Sequence, residues 1–162
     1  MGNLKCPACR TETMEVLTDP NTGLEVDTCP GCLGVWFDAA ELKDFYSSDE
    51  LQKRLTPVGG GSVHHTYEIS SKARACPRCR KAMERPHVGG IALDVCRHCR
   101  GVWFDHGELR KITEIHKSRG LKGDETVTEQ VREGMKGSGS GKGRTLEVLS
   151  WFLNSFLSTK LR

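Results

Sequence analysis

Cys29-Pro-Gly-Cys32-Leu-Gly-Val-Trp-Phe-Asp38-Ala-Ala-Glu41-Leu42 recurs further along the chain as Cys96-Arg-His-Cys99-Arg-Gly-Val-Trp-Phe-Asp105-His-Gly-Glu108-Leu109. Each copy is preceded by another Cys-x-x-Cys pair, Cys6 with Cys9 and Cys76 with Cys79, so all eight cysteines fall into four such pairs. The repeat divides the 162 residues into two small units and a tail. Apolar residues make up only 36% of the chain. A unit of about fifty residues buries too little surface to be stable on its own core, so something else must hold each one together.

Paired cysteines do this as disulfides or as metal ligands. The start from Met1 to Arg10 has no basic region followed by an apolar run, which reads as a chain without a signal peptide, cytoplasmic and with reduced thiols. In that setting Cys-x-x-Cys pairs read as ligands before disulfides. No stretch reaches the ~20 apolar residues needed to span a bilayer. Cys6, Cys9, Cys29 and Cys32 supply one set of four sulfurs, and Cys76, Cys79, Cys96 and Cys99 a second. Four thiolates at this spacing suit a structural zinc ion, so two zinc ions are expected, although spacing alone leaves iron open. Pairing neighbouring pairs keeps each repeat self-contained; interleaved pairing is the less economical alternative. Metal binding in small zinc domains is worth on the order of 10–16 kcal/mol, so a chelator is expected to unfold each unit. His98 is surplus to a filled tetrahedron and reads as a surface residue of its turn.

Working outward from the first copy, Thr13 to Leu17 and Leu24 to Thr28 read as strands joined by the turn Asp19-Pro20-Asn21-Thr22-Gly23. This hairpin carries the second cysteine pair back to the first. Asp38 with Glu41 reads as a capping box, with the Asp carboxylate accepting from the first turn of a helix and the Glu reaching back. A second capped turn begins at Ser48 or Asp49 and runs to Leu55. The later copy repeats the plan, with a strand near Met83, a turn at Gly89-Gly90, a strand from Ile91 to Val95, and a helix after Asp105 and Glu108. Trp36, Phe37, Trp103 and Phe104 read as the core between each hairpin and its helix. The acidic pairs, at capping spacing, need no catalytic role, and no nucleophile, base and oxyanion arrangement stands out, so the chain reads as non-enzymatic.

With these residues read, the chain resembles the transcription factor IIB-type zinc ribbon family of bacterial zinc-finger proteins over about Cys6 to Tyr46 and Cys76 to His116. The shared pattern is the two cysteine pairs followed by Gly-Val-Trp-Phe-Asp-x-x-Glu-Leu. Ala40 stands where that family usually has Gly, and Arg97 where Pro is common. The resemblance implies zinc binding and association with nucleic acid.

The expected architecture is a small zinc-stabilised α+β protein: two tandem zinc ribbons, each a β-hairpin with a capped helix, and a C-terminal amphipathic helix. The boundaries are 1–56 for the first ribbon, 57–65 for a Gly-rich linker, 66–121 for the second ribbon, 122–144 for a flexible tether and 145–162 for the amphipathic helix. Residues 1–55 carry 5 Lys and Arg against 10 Asp and Glu, whereas residues 66–122 carry 13 against 6. The first unit is thus acidic and the second basic. Arg74, Arg78, Arg80, Lys81, Arg85, Arg97 and Arg100 gather on or near the later cysteine turns, where they suit DNA or RNA phosphates. The same face reads equally well as solvated, or as one that docks on the acidic first unit. In the tail, Leu149, Phe152, Leu153 and Phe156 present an apolar stripe suited to a protein partner or to self-association. The leading expectation is a zinc-dependent, nucleic-acid-associated module with a transcription-related or regulatory role. The competing one is a protein-interaction adaptor acting through the C-terminal helix.

Overall fold

The structure is a computed structural model, and it describes residues 4–10, 13–57, 73–88 and 90–120. Most of the expected linker, the tether and the C-terminal stripe of Leu149, Phe152, Leu153 and Phe156 lie outside the described residues.

The elements run β1 (Glu15–Thr18), β2 (Glu25–Thr28), β3 (Val35–Phe37), α1 (Glu41–Phe45), α2 (Asp49–Leu55), β4 (His87–Val88), β5 (Ile91–Ala92), β6 (Asp94–Val95), β7 (Val102–Phe104) and α3 (Glu108–Gly120). β1 and β2 form the expected hairpin, with Leu17 opposite Val26. Its turn closes because Asp19 accepts hydrogen bonds from the Asn21 N–H (2.8 Å) and the Thr22 hydroxyl (2.9 Å). Gly23 supplies the left-handed residue, with φ at 73°. Ser48 caps α2 by accepting from the Leu51 N–H at 3.1 Å.

The two repeats are not separate bodies, because five strands form one antiparallel sheet in the order β1-β2-β3-β7-β6. The join is β3 with β7, the Val-Trp-Phe of one copy against the Val-Trp-Phe of the other. Val35 faces Phe104, Trp36 faces Trp103, and Phe37 faces Val102. The register is its own mirror, since equivalent residues exchange places about the tryptophan pair, as in an isologous dimer interface carried within one chain.

Strand alternation then sorts the motif onto two faces. Val35, Phe37, Val102 and Phe104 join Phe45, Leu51, Leu109 and Ile112 in the apolar core under the helices. Edge-to-face packing of Phe37 on Phe104, 5.7 Å between centroids, crosses the join. Trp36 and Trp103 turn to the opposite face, into a buried cluster with Cys6, Cys29, Cys32, Cys76 and Cys96. The expectation that all four aromatics lie between hairpin and helix therefore holds for the phenylalanines and fails for the tryptophans. Two neighbouring positions on a strand cannot share a face.

The capping boxes also differ from expectation. The Glu half forms, with the Asp38 N–H donating to Glu41 at 2.7 Å and the Asp105 N–H to Glu108 at 2.9 Å. The Asp carboxylates do not cap, and Ala40 is the N-cap of α1, without a side-chain bond. Each Asp instead accepts from the indole N–H two residues earlier, Trp36 on Asp38 and Trp103 on Asp105, both at 2.9 Å. A buried indole needs an acceptor, and the residue at i+2 on the same strand face is the nearest one.

In the second unit the region around Met83 forms isolated bridges, Ala75 to Ala82 and Glu84 to Val95, in place of a continuous strand. The run from Ile91 to Val95 splits between the small β4–β5 hairpin and β6.

Candidate metal centres

Each Cys-x-x-Cys pair sits in a tight turn that a backbone bond closes: Arg10 N–H to Cys6 C=O (2.8 Å), Leu33 to Cys29 (2.8 Å), Arg80 to Cys76 (3.0 Å) and Arg100 to Cys96 (2.8 Å). The residue after each second cysteine is left-handed, at φ of 64° for Arg10, 57° for Leu33, 64° for Arg80 and 63° for Arg100. Backbone N–H groups point at sulfur, as with Cys9 on Cys6 at 3.3 Å and Cys79 on Cys76 at 3.5 Å. A second closure, from Cys29 N–H to Gly34 C=O and from Cys96 N–H to Gly101 C=O, both 2.9 Å, ties the later turn of each unit to β3 or β7.

These turns bring the sulfurs together as neighbouring pairs, Cys6, Cys9, Cys29 and Cys32 in one set and Cys76, Cys79, Cys96 and Cys99 in the other, all within 4.8 Å. Sulfur separations are 3.6 Å for Cys6 and Cys32, 3.9 Å for Cys9 and Cys29, and 3.5 Å for both Cys76 with Cys99 and Cys79 with Cys96. A zinc ion at about 2.3 Å from four tetrahedral sulfurs puts them about 3.8 Å apart, whereas a disulfide would need about 2.05 Å. The two sites fit two zinc ions. Burial raises the Cys9, Cys76 and Cys99 thiols. Hydrogen bonds from Cys32 and Cys6 lower Cys29, and the Lys81 N–H lowers Cys79. Without a cation the sulfurs thus share protons unequally; a bound dication lets all four ionise.

Both copies of the motif match the transcription factor zinc-finger family, over residues 5–47 and 75–115. The chain belongs to that family. Comparisons with curated proteins and with solved structures returned no match. Among the described residues no helix is long and apolar enough to cross a membrane.

The seven basic residues singled out for phosphate contact part ways in this zinc-finger chain. Arg74 is buried, 4% exposed, with one guanidinium nitrogen 2.8 Å from both Asp94 and Asp105. Arg85 flanks the same two carboxylates at 3.4 and 3.6 Å. Arg78 crosses the join and grips the first unit, 3.0 Å from Asp27 and 2.7 Å from Asp38. Arg97 meets Glu84 at 3.4 Å. Arg74 is therefore corrected from surface cation to core ion pair, whereas Arg78 takes the other expected course and docks on the acidic first unit. Both placements follow from a buried carboxylate beside each arginine, Asp94 and Asp105 for Arg74 and Asp27 for Arg78, which needs a cation. Arg80, Lys81 and Arg100 stay exposed at the tips of the turns, with Lys81 3.0 Å from His98.

Sequence reasoning did not single out Asp27 and Asp94, each two residues before a cysteine in the motif. The signal was available in the alignment of one copy on the other. Both copies keep this Asp, while the cations differ: Arg74 aligns with Leu4 and Arg78 with Ala8.

Proposed function

We propose that the chain is a non-enzymatic zinc-binding module of the cytoplasm that binds DNA or RNA through the turn tips of its second ribbon, in a transcription-related or regulatory role. The observation that carries this reading is which cations remain after the internal ion pairs are formed. Arg80, Lys81 and Arg100 project from the two metal-binding turns of one ribbon, exposed and next to the ligands Cys79 and Cys99 that fix their backbone. Arg80 and Arg100 also hold the left-handed conformation, which costs a non-glycine residue about 1–2 kcal/mol. Arg10 and Leu33 hold the same conformation in the first ribbon, so it belongs to the cysteine turn and fixes where these side chains start without selecting their type. Three cations on backbone fixed by the metal-binding turns suit phosphate oxygens and do not by themselves read base sequence.

The test is binding of mixed DNA and RNA oligonucleotides across a salt series, comparing the parent chain with an Arg80→Ala, Lys81→Ala, Arg100→Ala variant. Alanine keeps the strain at positive φ, so thermal stability serves as the control. The parent is expected to show salt-dependent affinity. The variant is expected to lose about two to three units of the logarithmic salt slope, about 0.9 per phosphate contact. No binding by the parent, or equal slopes for the two chains, would overturn the reading.

A further inference from the structure

We infer that the two four-cysteine sites load as a coupled pair, with zinc at either site raising the affinity of the other. The inference rests on the reading of both sites as zinc sites and adds a link between them. The link is a physical chain through the join of the two repeats.

Gly101 accepts the bond that closes the Cys96–Cys99 turn. The ring of Trp36, from the other repeat, lies directly on it: a Cβ at Gly101 would sit 2.0 Å from the Trp36 Cζ2. The reciprocal contact holds, with a Cβ at Gly34, on the Cys29–Cys32 turn, 2.1 Å from the Trp103 Cζ2. The later turn of each site is therefore the floor for the other repeat's tryptophan, and both rings share one buried cluster with cysteines of both sites. A turn that loses its ion loses its fixed geometry, and with it the surface that the opposite ring packs on.

Arg78 adds a second connection that has no counterpart in the other repeat. It stands between the ligands Cys76 and Cys79, and its guanidinium reaches Asp38, which also holds the Trp36 indole N–H. Both turns of the second site thus act on Trp36, one through Gly101 and the other through Arg78 and Asp38. The matching position in the first unit is Ala8, which has no such reach. The Arg78 backbone N–H bonds the Cys76 sulfur, but its guanidinium is no ligand; that side chain positions Asp38 and Trp36 between the sites. By linkage the coupling is reciprocal, and allosteric couplings of this kind amount to about 5–150-fold in affinity.

The experiment uses the full chain, stripped of metal and titrated with zinc, with native mass spectrometry counting the empty, one-zinc and two-zinc species. Zinc affinity of the first site is measured by chelator competition with the second site filled and with it disabled by Cys99→Ser. First-site affinity is expected to fall at least about 5-fold when the second site is disabled. Arg78→Ala retains all eight ligands and guards against a Cys99→Ser chain that misfolds; it is expected to raise the one-zinc share at half loading. Equal first-site affinities together with an unchanged one-zinc share would overturn the proposal. Failure to reach two zinc per chain at saturation would instead overturn the zinc reading on which it rests.

Discussion

Gly34→Ala is the sharpest perturbation of the join, because general rules and the structure predict opposite signs. Gly34 does not hold a positive φ, and replacing such a glycine by alanine ordinarily stabilises by about 0.4–1 kcal/mol through the unfolded chain. Here the new methyl would lie 2.1 Å from Cζ2 and 2.6 Å from Cη2 of Trp103. Carbon atoms pack at about 3.5–4.0 Å, so ring or strand must withdraw by about 1.5 Å. Trp103 has little freedom to do so, being fully buried with its indole tied to Asp105. Overpacking a rigid core costs about 1–3 kcal/mol, and tipping the ring out approaches the 3–5 kcal/mol of a Trp truncation. Set against the entropic gain, the net loss is about 2–4 kcal/mol, or about 10–20 °C in Tm for a domain of this size. Thermal unfolding of the zinc-loaded chain followed by circular dichroism reads this directly. A Trp103→Leu background should remove most of the penalty, since the clashing ring is gone. An unchanged or raised Tm for Gly34→Ala, or the same loss in both backgrounds, would refute the packing argument.

Two further outcomes follow from the buried charges. Arg74→Met leaves Asp94 and Asp105 facing each other with only the more distant Arg85, and denaturant unfolding should show a loss of about 3–5 kcal/mol; a loss under about 1 kcal/mol would mean the pair is not desolvated as described. Burial pushes Glu41 up to about 7 from 4.5, so the fold favours its protonated form, and the stability it contributes is present below pH 4.5 and lost as pH rises to about 7. Glu41→Gln mimics the neutral form and still accepts from the Asp38 N–H. Its stability relative to the parent should climb across that window and level off above it, the thiolate contribution cancelling in the difference. Parallel pH curves would show that Glu41 is not held in a desolvated site.

What was legible in the sequence was local. Cysteine spacing, the Asp19 to Gly23 turn and the Ser48 cap each depend on residues a few positions apart, and each took the expected form. The join was not legible, because the unbroken apolar run Val-Trp-Phe says that both faces are buried without saying by what. The tryptophans went to the metal face by strand parity alone, once β3 was known to be a central strand. Arg74 was misread for a related reason. Arg74, Arg78 and Arg80 look alike in a list of basic residues, and only the position of Asp27, Asp38, Asp94 and Asp105 separates the buried from the exposed. The Asp of each motif looked like a helix cap because its spacing to the Glu fits one; the competing acceptor demand of the indole two residues earlier took the carboxylate instead.

The self-complementary register of β3 and β7 has a consequence for how two such ribbons coexist. On separate chains, copies meeting through this strand would assemble only above some threshold of protein concentration. Within one chain each copy meets the other at an effective concentration on the order of millimolar, whatever the dilution. A symmetric pair must also make every contact twice, so a cation added on one side appears on both. The fused pair escapes that rule: it holds Arg78 where the first copy has Ala8, and Arg74 where the first copy has Leu4. Joining the copies thus gives their metal centres unlike surroundings within a nearly symmetric frame.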